Sequence, residues 1–212
     1  MLRIDETSKT LVAPQAGGLV TGSIPEREEL VGLMAASWEA FAHELGMPAL
    51  RFLAAEPLPG VDILAFDHEA GRAVVVQVTG ETVEWQVIRS LHAAADLAAM
   101  DAAALASLHE ALEAAVPGDS PEIVVIAGAF DPRALATVAW LTRRHGLEIS
   151  TFSVSLLQFG NERLLTVRRE PRDAHVPDPA AEVQWMLTGE APRADAAIPQ
   201  APAGASTPPP GS

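Results

Sequence analysis

The stretch VDILAFDHEAGRAVVVQVT, Val61 to Thr79, decides how this chain is read. Two apolar runs, 61–66 and 73–79, flank the segment Asp67-His68-Glu69-Ala70-Gly71. Such runs joined by a short Asp/Gly turn predict an antiparallel hairpin. If the hairpin closes around Glu69-Ala70, facing residues have numbers that sum to about 139, because pairing register is set by the turn. Asp62 then falls opposite Gln77. Side chains alternate along a strand, so Gln77 and Thr79 share one face and Val76 and Val78 the other. Asp62, Gln77 and Thr79 are expected to form a polar patch at one end of an otherwise apolar hairpin.

The flanking sequence sets this hairpin in an α/β frame. A helix is expected over 25–44. Ser23 is its N-cap, Pro25 its first residue, and Glu26, Glu28 and Glu29 suit the N-terminal dipole. Leu30, Leu33, Met34, Trp38 and Phe41 recur at helical spacing, and Gly46 ends the run. Residues 50–55 read as a third strand. Helices are expected over 84–100 and 103–115. Residues 123–127, IVVIA, form a continuous apolar run suited to a strand covered on both faces. Asp131-Pro132 opens a further helix through Arg144, closed by His145-Gly146. Strands follow over 148–156 and 163–167. The expected architecture is one α/β domain over 25–170, built as a sandwich around a mixed sheet. Residues 1–24 read as an N-terminal arm with one weak strand. Residues 171–212 are rich in Pro and Ala and are expected to be disordered. Within them 180–187, carrying Val183, Trp185 and Met186, has the pattern of a short amphipathic helix that docks on the domain or on a partner.

The chain has 212 residues and a formal net charge of −14. That balance opposes broad electrostatic binding to nucleic acid, which draws most non-specific affinity from phosphate neutralisation. Cysteine is absent, which removes disulfides, thiolate metal sites and thiol nucleophiles. No apolar run is long enough to span a bilayer, and 1–14 lack the pattern of a secretory signal. A cytoplasmic protein is the expectation. Lys9 is the only lysine. The six histidines have no metal-ligand spacing, no GxSxG elbow is present, and Gly-rich phosphate loops are absent. Arg143-Arg144 and Arg168-Arg169 read as solvated pairs rather than phosphate contacts, and Trp85 and Trp140 as core residues.

The blocks EREEL (26–30), VDILAFD (61–67), GRAVVVQVT (71–79) and WQVIR (85–89), in this order, resemble the PD-(D/E)xK restriction-endonuclease-like superfamily. They are most similar to the catalytic domain of archaeal and bacterial mismatch-type endonucleases. Residues 121–156 add to the resemblance, which spans roughly 25–167. It implies a three-layer restriction-endonuclease-like sandwich in which oxygen ligands on the hairpin hold Mg²⁺ and a lysine serves the attacking water. Carried over residue by residue, it implies Glu29, Asp62 and Gln77 as metal ligands, and Asp62, Gln77, Thr79 and Gln86 as the catalytic set. Two of these depart from the pattern: Gln77 replaces an acidic ligand and Thr79 replaces the lysine. Ser90 stands where the pattern has a tyrosine. The resemblance therefore implies a nuclease-like domain with weakened or lost phosphodiesterase activity, acting as an accessory or interaction module. Two other readings stay open. One is an active Mg²⁺-dependent DNA endonuclease in which an arginine such as Arg72 or Arg89 stands in for the lysine. The other is a partner-binding scaffold that uses the acidic surface and residues 180–187. A homodimer fits any of them. For each site residue there is also an ordinary alternative. Asp62 then caps a backbone amide, Gln77 and Thr79 satisfy each other, and Glu29 and Gln86 are solvated helix residues.

Overall fold

A computed structural model describes residues 2–5, 8–12, 19–83, 86–115, 119–159 and 162–170. The tail from 171 onward, including 180–187, and Trp85 lie outside the described residues. Along the chain run β1 (Leu2–Asp5), β2 (Thr10–Val12), β3 (Leu19–Gly22), α1 (Arg27–Ala36), α2 (Trp38–Glu44), β4 (Leu50–Ala55), β5 (Ile63–Asp67) and β6 (Arg72–Val83). Then come α3 (Gln86–Ala98), α4 (Ala102–Leu108), a 3-10 turn over Glu110–Ala114, β7 (Glu122–Phe130), α5 (Pro132–His145), β8 (Ile149–Phe159) and β9 (Glu162–Glu170).

The hairpin forms with the expected register. Ile63 pairs with Val76, Leu64 with Val75, Ala65 with Val74 and Asp67 with Arg72. Its turn is closed by Asp67, whose Oδ1 accepts from the amides of Glu69 at 2.8 Å and Ala70 at 3.0 Å. Gly71 supplies the left-handed residue of that turn, at φ 69°. β4 adds antiparallel to β5, while β7 lies parallel to β6 and β8 parallel to β7. The sheet is therefore mixed, in the order β2-β1-β9-β8-β7-β6-β5-β4, with β3 pairing with the far half of β8. Residues 1–24 are thus more than an arm with one strand. Three short strands of that region join the sheet, each of four residues or fewer. Segments so short carry almost no periodicity.

Two apolar layers cover the sheet. α1 and α2 bury Leu30, Met34, Trp38 and Phe41 against Ile63, Val76, Val78, Val124 and Ile126. On the other face Val87, Leu97 and Leu105 of α3 and α4, with Val138 of α5, pack on Leu64, Val75, Ile123 and Val125. β7 is buried on both faces, as its unbroken apolar run requires. The single helix expected over 25–44 is two. Ser37 leaves helical geometry at φ −134°, ψ 34°. The break turns Trp38 so that its Nε1 donates to Leu50 O at 3.0 Å, tying the new helix to β4. The helix also starts later than expected: Glu26, not Ser23, is its N-cap, and Pro25 lies before it. Asp131 caps α5 as expected, and Gly146 closes it at φ 67°.

The loop before α1 is pinned by close packing rather than by a cap. A Cβ on Gly80 would lie 2.8 Å from Pro25 O, and one on Gly128 would overlap Gly80 O. This contact coincides with the register shift between Thr79 and Thr82 on β6. Gly128→Ala should therefore lower the urea midpoint by the equivalent of about 1–3 kcal/mol, as overpacking does. Gly32, exposed on α1 with nothing near its missing Cβ, is the control of opposite sign. Gly32→Ala should raise stability by about 0.5–1 kcal/mol.

Candidate functional site

The polar patch expected at the end of the hairpin exists. Asp62, just ahead of β5, is 2% exposed and Gln77 of β6 is 1% exposed. The Asp62 amide donates to Val76 O at 3.2 Å, which extends the hairpin ladder by one residue. Its carboxylate accepts from three directions. Gln77 Nε2 and the Val78 amide both donate to Oδ2, the amide at 2.6 Å. Arg27, the first residue of α1, donates through Nη1 to Oδ1 at 2.5 Å. The other terminal nitrogen of Arg27 reaches Glu56 Oε1 at 2.6 Å. Glu56 sits where the chain leaves β4, at φ 49°, and its amide donates to Asp62 O at 2.9 Å. One guanidinium thus bridges two carboxylates across the mouth of the hairpin, the planar two-pronged geometry in which arginine differs from lysine.

Burial pushes the Asp62 carboxyl above its usual value of 3.8. The Val78 amide, the Arg27 and Arg89 charges and the Gln77 amide pull it back. Arg89 acts on Asp62 from the first turn of α3 without a direct bond. Gln77 Oε1 is buried with no partner.

The other candidate residues disperse. Thr79 is buried, but its Oγ1 accepts from the Glu81 amide at 3.2 Å, within the local irregularity of β6. Glu29 is half-exposed and pairs with Arg163 at 3.2 Å, away from Asp62. Gln86 opens α3, and its carbonyl accepts from Ser90 Oγ at 2.8 Å. The implied metal set Glu29–Asp62–Gln77 is therefore not assembled; only Asp62 and Gln77 meet. Among the described residues no group of three His, Asp or Glu side chains stands in a metal-holding arrangement. Arg72 is not beside Asp62 either. At the turn end of the hairpin it binds Glu148 and, at 3.2 Å, Glu122. No single helix among the described residues is long and apolar enough to cross a membrane.

Arg27 and Glu56 were not singled out in the sequence, yet Arg27 left a signal. It is a cation in the first turn of a helix, where the dipole favours anions and where Glu26, Glu28 and Glu29 surround it. A residue so placed against the dipole is held by a partner elsewhere. With this geometry in view, no family model, no curated protein and no solved structure gives a significant match to the chain.

Two substitutions test the electrostatics. Removing one partner of a buried pair costs about 3–5 kcal/mol when the remaining charge is sealed off. Arg27 is 39% exposed, so water reaches the gap and Arg27→Ala should cost about 1–3 kcal/mol. Asp62→Asn removes the charge and reports the pH dependence. The folded carboxyl binds protons more tightly than the unfolded one, so the native state gains on acidification. That contribution is full below 3.8 and fades as pH rises through the higher folded value. The urea midpoint of the wild type minus that of Asp62→Asn should therefore fall with rising pH. A difference that rises instead would mean that Arg27 and Val78 outweigh burial.

Proposed function

We propose that this is a nuclease-like domain whose phosphodiester chemistry has been silenced and which serves as an accessory or interaction module. The observation that carries the reading is the Arg27 guanidinium seated on Asp62. In the superfamily that the hairpin resembles, that carboxylate faces a divalent ion, and a lysine two residues beyond the second ligand serves the water. Here the cationic partner of Asp62 is a side chain of the protein itself. The residue in the lysine's place is Thr79, turned to a backbone amide. Arginine cannot serve as a proton acceptor near neutrality, since its pKa stays above about 12. Losing one charge-stabilising group alone typically lowers such a rate about 10²–10³-fold. Asp62 and Gln77 are also both buried and bonded to each other, which engages the two oxygen-bearing side chains that would face a metal.

Incubation of the purified chain with nicked, mismatched and single-stranded DNA in Mg²⁺ or Mn²⁺ should leave every substrate intact. Cleavage that is abolished by EDTA and by Asp62→Ala would overturn the reading. The position of Arg27 predicts an order of restoration. Gln77→Glu with Thr79→Lys should remain inactive while Arg27 holds Asp62. Adding Arg27→Ala should give metal-dependent nicking. Thermal melting of each variant checks that the fold is intact. Activity in the double variant would show that Arg27 is not the block.

A further inference from the structure

The geometry points to an intramolecular docking site for the acidic segment 171–190 in the groove between α5 and the ends of β8 and β9. The groove has a volume of about 210 Å³ and is lined by Leu135 and Ala139 of α5, Ile149 and Thr151 of β8, and Arg169 and Glu170 of β9. An apolar cavity of about 150 Å³ accepts a benzene ring. This groove therefore takes an indole or a branched aliphatic side chain. α5 covers the sheet incompletely. Of its 14 residues only Ala134 and Val138 are buried, and the neighbouring Trp140 is 52% exposed.

Three observations select the chain's own C-terminal segment as the occupant. The first is position. The described chain stops at Glu170, itself a wall of the groove, where its carbonyl accepts from Thr151 Oγ1 at 2.9 Å. Residue 171 therefore starts at the groove. A segment attached so closely acts at roughly millimolar effective concentration, so weak contacts suffice. The second is chemistry. Residues 171–190 contain Asp173, Asp178, Glu182 and Glu190 against Arg172 alone, and they carry the cluster Val183, Trp185, Met186 and Leu187. α5, in contrast, has no acidic residue and holds Arg133, Arg143 and Arg144. At the groove, Arg143 donates only to Ala139 O of its own helix at 3.1 Å, and neither it nor Arg169 has an acidic partner among the described residues. The third is reach. Val183 lies thirteen positions beyond Glu170, a span of up to about 40 Å when extended, so the apolar cluster can fold back over the groove with slack to spare. The inference is independent of the proposed loss of nuclease chemistry.

The absence of cysteine allows a clean test on the full chain. Gln184→Cys carries one nitroxide, and the amides of the ¹⁵N-labelled protein report its neighbours. Broadening confined to residues 135–143 and 149–151 is expected, reversed when the nitroxide is reduced. It should weaken several-fold in Trp185→Ser/Leu187→Ser, and again in Arg143→Glu/Arg169→Glu. A mixture of ¹⁵N chain without label and spin-labelled ¹⁴N chain separates self-docking from exchange between copies. Broadening in that mixture would overturn the proposal in favour of a second copy. Broadening on another face, or none above the Trp185→Ser/Leu187→Ser control, would overturn it outright.

Discussion

A carboxylate buried at the open end of a hairpin is the constraint from which much of this structure follows. Asp62 cannot be left without partners there, because an uncompensated buried charge costs several kcal/mol. Its donors come from two elements that also pack on each other through apolar residues. Gln77 and the Val78 amide belong to β6, while Arg27 begins α1. The ion pair ties the first residue of α1 to the mouth of the hairpin, beside the apolar packing of the helix on the sheet. With α1 so anchored, the preceding Pro25 comes to rest on Gly80, and Gly80 on Gly128. Only residues without a side chain fit in that stack, so the electrostatic contact and the glycine contact hold the same loop from opposite sides.

The turn end of the hairpin repeats the arrangement. Arg72, paired across the ladder with Asp67, binds both Glu122 of β7 and Glu148 in the loop before β8. Glu122 is 6% exposed, accepts from Ser150 Oγ at 3.2 Å, and is pushed by burial above the usual carboxylate value. Each end of the β5–β6 hairpin is thus closed by one arginine shared between a buried and an exposed acid. At Arg27 each terminal nitrogen serves one acid, as the planar guanidinium fork allows, whereas at Arg72 a single terminal nitrogen, Nη2, meets both acids.

The parts of this structure that were legible in the sequence are those governed by local periodicity. The hairpin register could be counted out because its turn is short and a short turn fixes which residues face each other. The strand 123–127 and the cap at Asp131 were legible for similar reasons. What escaped depends on partners distant in sequence. Nothing in LMAASWEAF marks Ser37 as a break; the break exists because Trp38 finds the carbonyl of Leu50. Three short strands of residues 1–24 gain their identity only from β8, β9 and each other. At the site, the meeting of Asp62 with Gln77 followed from strand alternation, a local rule. The pairing of Glu29 with Arg163, and of Arg27 with Asp62, depends on how the helix is rotated against the sheet, which no local rule supplies.

The rotation of α1 has a consequence for charge. With Glu29 turned out and Arg27 turned in, the described groups that act on one another at the hairpin mouth include the acids Asp62 and Glu56 and the arginines Arg27 and Arg89, the last acting through space. Their charges cancel. A divalent ion is attracted to a surplus of carboxylate and must be repaid for the water it sheds. A neutral cluster that is already hydrogen-bonded offers neither. Yet the whole chain carries a charge of −14, so its acidic residues lie overwhelmingly elsewhere. At the hairpin mouth the charges of Asp62, Glu56, Arg27 and Arg89 balance one another. The surface, not the hairpin mouth, is where this protein is left with electrostatic work to do.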